Sequence, residues 1–67
     1  MSPNKIKAML VERGIKQTDI AKELGLARSS VAGAISGYRQ HKSRRVHEAV
    51  AKRVGKPIEK LWPNLYA

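Results

Sequence analysis

The chain has 67 residues, of which 14 are Lys or Arg and 5 are Asp or Glu, leaving a formal net charge of +9. It has no Cys, which excludes disulfides and thiolate metal sites, and it has no long apolar run that would suggest a membrane span or a signal-peptide core. A single domain over residues 1–67, soluble and intracellular, is expected, and at this length it buries only roughly 60% of its unfolded surface.

The charge is unevenly spread. Residues 1–27 carry five bases and three acids, whereas residues 28–67 carry nine bases and two acids. Such a field attracts polyanions, either nucleic acid or an anionic membrane surface. A solubilising surface alone does not need this asymmetry.

Apolar residues recur at spacings of three and four rather than two, and Phe is absent, so the chain reads as helices without a convincing strand. The first helix is expected to start with Ser2 as N-cap and Pro3 at the first helical position. Ile6, Met9 and Leu10 form its apolar stripe, and Gly14 stops it. The second helix runs from about Gln17 to Leu24, with Asp19 in the first turn and Lys16 as a poor N-cap. Gly25 follows the end of that stripe, where a left-handed residue closes a helix, and Leu26 tucks beneath the turn. A third helix starts near Ala27 or Arg28 and ends near Ser36, with Gly37 as its stop. Residues 17–36 therefore read as two short helices joined by a tight turn.

Residues 37–42, GYRQHK, read as a polar, basic loop. Ser43 is a good N-cap for a fourth helix whose Val46, Ala49, Val50 and Val54 share a face, and His47 is expected at its surface. Pro57 opens a short fifth helix, PIEKLW, closed by Pro63. Trp62 is expected to anchor the core beside Ile58 and Leu61. Leu65 and Tyr66 in the tail are free to form an interface, pack on the core or fray.

The stretch from Gln17 to Gly37 resembles the helix-turn-helix of the lambda-repressor-like DNA-binding family. That pattern wants Ala, Gly and a β-branched residue where this chain has Ala21, Gly25 and Val31, with apolar residues at Ile20, Leu24, Leu26 and Ala34. A small residue at 21 lets the helices cross closely, and the apolar ones fill the space between them. The later run KPIEKLWPNLY is similar to the end of the Ner-type regulators of Mu-like phages. The resemblance implies an all-α, compact five-helix domain. It also implies a double-stranded-DNA-binding transcriptional regulator, a phage or prophage repressor, working at the nucleoid in the bacterial cytoplasm.

The resemblance further implies that the third helix, 28–36, enters the major groove, which admits a helix and displays a readable pattern of donors and acceptors. Base contacts are then expected from Arg28, Ser29, Ala32 and Gly33. Backbone contacts are expected from Lys16, Gln17, Thr18, Ser36, Tyr38, Arg39, His41, Lys42 and Arg44. If roughly five cations meet phosphates, the logarithm of affinity should fall with that of salt at a slope of about −4 to −5. The blander reading of each cation is a solvated surface charge.

Neither a triad nor a carboxylate pair stands out, so no enzyme, cofactor, metal or small-molecule substrate is expected. The competing readings are an interaction or DNA-architectural module that keeps the shape alone, and a membrane-surface binder. The Val- and Ala-rich face of the fourth helix is weak for insertion. A weak homodimer, or one formed only on DNA, is the expected assembly.

Overall fold

A computed structural model describes residues 1–37 and 43–66. Its helices, in chain order, are α1 (Pro3–Glu12), α2 (Gln17–Leu24), α3 (Arg28–Ser36), α4 (Arg44–Val54), α5 (Ile58–Leu61) and α6 (Pro63–Tyr66). No strand occurs among the described residues. The all-α architecture expected from the apolar spacing is therefore present.

The start and stop signals act where they stand in the sequence. Ser2 Oγ accepts from the Lys5 amide at 3.3 Å, and Ser43 Oγ accepts from the Val46 amide at 3.4 Å. Gly25 adopts φ 68°, ψ 33° just past α2. With it in that conformation, the Leu26 amide donates to Ala21 O at 2.9 Å and the Gly25 amide to Lys22 O at 3.3 Å. This double closure satisfies carbonyls that a helix end otherwise leaves bare, and it turns the chain into α3.

The core is one cluster, drawn from every helix except α6. Ile6 and Leu10 of α1 meet Ile20 and Ala21 of α2, Val31, Ala34 and Ile35 of α3, Val46, Val50, Ala51 and Val54 of α4, then Ile58, Leu61 and Trp62. Leu24 and Leu26 close its edge, and Leu65 and Tyr66 pack onto it from the tail. Of the three courses open to the tail, packing on the core is the one taken.

Two expectations need correction. His47 is not at the surface: it is 0% exposed. The fourth helix packs against α2, α3 and α5, so its buried face is wider than a single stripe and takes in Val46, His47, Val50, Ala51 and Val54. The second concerns the end of the chain, which forms a sixth helix. Trp62 precedes a proline, which disfavours helical backbone, and it leaves α5 at φ −131°, ψ 68°. Pro63 then opens a further turn, a position that suits its fixed φ and missing N–H.

Candidate nucleic-acid interface

The outward face of α3 carries Arg28, Ser29 and Ser30, all exposed, with Ala32, Gly33 and Ser36 half-buried behind them. The inward face is Val31, Ala34 and Ile35, each 0% exposed. The outward side is therefore a low surface of small residues with one long cation at its N-terminal end. The Ser36 hydroxyl donates to Ala32 O at 3.0 Å, so it serves its own helix.

Four of the expected contact residues come together. Arg28, Lys16, Gln17 and Thr18 line one cleft of about 590 Å³, along with Leu10, Val11, Ile15 and the third cation, Lys7. No carboxylate lines it. Among the described residues the ion pairs lie elsewhere: Arg53 pairs with Glu23, and Arg44 Nε with Glu48 Oε1 at 2.9 Å. Glu23 is thus engaged by α4, and Glu48 is paired within α4.

The helix ends facing that cleft are bare. α1 and α4 have serine caps, but neither Lys16 before α2 nor Ala27 before α3 provides a side-chain cap. Uncapped N–H groups and the positive end of the helix dipole together favour an anion.

Arg44 stands apart from this group. It is exposed, bonded to Glu48, and its guanidinium carbon lies 6.0 Å from the centre of the Tyr66 ring. The hydrogen bond that Arg44 donates to Glu48, then the charge of that carboxylate, hold the Arg44 guanidinium above the ordinary arginine value. Tyr38, Arg39, His41 and Lys42 lie outside the described residues.

Sequence reasoning missed the bonds that hold α3 in place. The C-terminal end of α3 is held by side chains from the last third of the chain. His47 Nε2 lies 2.7 Å from Ala34 O, and since a carbonyl can only accept, this nitrogen carries the proton and donates. Trp62 Nε1 donates to Ile35 O at 3.1 Å, and Asn64 Nδ2 to Gly37 O at 3.3 Å. His47 Nδ1 is 2.6 Å from the Tyr66 hydroxyl. The His47 and Trp62 rings stack with centroids 3.9 Å apart, and Tyr66 meets His47 edge-on at 5.4 Å. Gly37 has φ 80°, and a Cβ there would come within 3.2 Å of Trp62 Cδ1. Arg45, beside Arg44 at the start of α4, donates from Nη2 to Leu24 O at 3.1 Å and so ties α4 to the end of α2.

Among the described residues no group of side chains could hold a metal ion, and no helix is long and apolar enough to cross a membrane. No curated protein and no solved structure gives a match to the chain. A family model described as winged helix-turn-helix DNA-binding matches residues 1–67, over which the paired α2 and α3 carry the motif. The chain belongs to the winged helix-turn-helix DNA-binding family.

Proposed function

We propose that this protein is a sequence-specific transcriptional regulator that reads double-stranded DNA with α3 in the major groove, and that it acts as a repressor of the Ner type. The observation that carries the reading is the cleft: Arg28, Lys16, Gln17 and Thr18 share it with two uncapped helix ends and no carboxylate. A phosphate at the start of α2 meets bare amides and a cation. From there Arg28, on the first turn of α3, is placed to extend toward a base edge. Arginine pairs guanine O6 and N7 through a planar fork, worth roughly 1–3 kcal/mol of discrimination.

In this reading Ser29 is a second base contact, while Ala32 and Gly33 give the helix clearance and Ala32 touches a thymine methyl. Ser36 and Arg44 belong to the backbone set. Tyr38, Arg39, His41 and Lys42 join them through their place in the chain directly after α3. The repressor assignment rests on the similarity of KPIEKLWPNLY to the Ner-type regulators, and it carries with it a bacterial, nucleoid-bound location and a dimer formed weakly or on DNA.

Selection of bound duplexes from a random library at about 150 mM salt tests the reading. A two-fold symmetric motif is the expected result, its spacing giving the dimer geometry. No enrichment, with binding that vanishes as salt rises, would leave only backbone attraction and favour the architectural alternative.

A further inference from the structure

We propose that His47, Trp62, Asn64 and Tyr66 are positioning residues for DNA reading: they hold the C-terminal end of α3 at the angle its N-terminal end needs to discriminate bases. The inference rests on the reading of α3 as the recognition helix.

The need for such a hold follows from the sequence of α3. RSSVAGAIS is nine residues long, and helices shorter than about 12–15 residues are marginal on their own. Gly33 in its interior weakens it further, and the Ser36 hydroxyl back-bonds to Ala32 O, a pattern that bends helices. No side chain caps its N-terminus. Yet a recognition helix must keep a fixed tilt, because a hydrogen bond to a base edge is directional and short.

The C-terminal end supplies what the helix lacks. Ala34, Ile35 and Gly37 each have their carbonyl oxygen bonded by a different side chain, from α4, from the α5–α6 junction and from α6. The first two donors are buried rings stacked on each other, so neither can swing without displacing the other. Tyr66 braces the imidazole from the far side. The Trp62 ring also closes over Gly37, so that a Cβ there would lie 3.2 Å from Trp62 Cδ1 and push the ring by a few tenths of an ångström. None of these groups lines the cleft, so they act on DNA through the orientation of α3.

Two kinds of readout separate positioning from plain stability. A variant that is merely less stable loses folded protein, which lowers binding to every duplex by the same factor. The ratio of affinities for a selected and a scrambled duplex is then unchanged. A variant that tilts α3 lowers that ratio. Tyr66→Phe removes only a hydroxyl, and Asn64→Ala alters an exposed residue, so both should remain folded. Each is expected to lower the ratio about three- to tenfold, the size of one lost hydrogen bond. His47→Gln, which can still donate to Ala34 O, should retain more discrimination than His47→Leu. In the DNA-free protein, the amides of Ile35, Ser36 and Gly37 should exchange with solvent faster in Tyr66→Phe, with those of α1 unchanged.

Unchanged exchange at the end of α3 together with an unchanged ratio would overturn the proposal. Faster exchange throughout the protein with an unchanged ratio would also overturn it, since the residues would then serve the core alone. If the unaltered protein itself shows no discrimination, the sequence-specific reading fails. The exchange pattern still decides whether these residues hold α3.

Discussion

His47 and Trp62 lie face to face, ring centroids 3.9 Å apart, and bond the successive carbonyls of Ala34 and Ile35 at the end of α3. A buried polar side chain is tolerated when its hydrogen bonds are met. Here both the imidazole and the indole are satisfied, and the same bonds serve the end of α3, where Ile35 O accepts from the indole and Ala34 O takes the imidazole beside the Gly37 amide.

Removing the imidazole donor should therefore destabilise the protein by about the worth of one hydrogen bond. In His47→Leu the Ala34 carbonyl keeps the Gly37 amide and loses the imidazole donor, a cost of about 0.5–1.5 kcal/mol. For a domain of this size each kcal/mol lowers Tm by about 4–8 °C. Thermal unfolding followed by circular dichroism checks this.

Gly25 and Gly37 make a matched pair. Both have positive φ, so alanine at either is strained by about 1–2 kcal/mol. A Cβ at Gly25 meets nothing within 4 Å, whereas one at Gly37 comes within 3.2 Å of Trp62 Cδ1. Gly37→Ala should therefore be the more damaging, by an amount readable in the urea midpoint. Equal effects would mean that the Trp62 ring yields freely.

Arg28 and Lys16, two of the three cations of the cleft, should respond differently to the same substitution. Arg28→Ala is expected to relax preference at one base position and cost roughly 1–3 kcal/mol on the selected duplex. Lys16→Ala should weaken binding to all duplexes alike and reduce the salt slope by about one unit. Anisotropy titrations across a salt series, on selected and scrambled duplexes, distinguish them.

Burial pushes the Tyr66 phenol above the ordinary tyrosine value of 10.0, with Arg44 opposing the rise and Glu48 adding to it. The neutral form is thus favoured in the fold. Its contribution to stability is whole below pH 10.0 and is lost as pH rises through the higher folded value. The stability gap between the unaltered protein and Tyr66→Phe should then narrow from neutral pH to about pH 11. Urea unfolding of both proteins across that range measures it, and a constant gap would contradict the assigned burial.

Much of the architecture was legible in the sequence because it depends on local signals. Ser2 and Ser43 cap where they stand, Gly25 closes α2, and the apolar stripes of α1 to α4 supply most of the core. Trp62 could be placed in the core on its size and apolar neighbours. His47 could not, because its burial is set by what packs on a second side of α4, and nothing local reports that. The extra turn at Pro63 was written in the Trp-Pro pair but was read only as a stop. In the candidate site, the helix-turn-helix resemblance singles out Arg28, Lys16, Gln17 and Thr18 as contacts, while the cleft they share is visible only in the fold. The hold on α3 spans 13 residues from Ala34 to His47 and 27 from Ile35 to Trp62, distances at which periodicity carries no information.

The central claim is that α3 reads bases while the start of α2 grips phosphate. Amide chemical shifts of the protein, recorded with its selected duplex and again after one base pair of that duplex is changed, test it most directly. Shifts are expected to concentrate at 16–18 and 28–33, and the base change to move Arg28 and Ser29 while leaving Gln17 and Thr18 in place. Shifts confined to α1 or to the outer face of α4, or equal at every position for both duplexes, would contradict it.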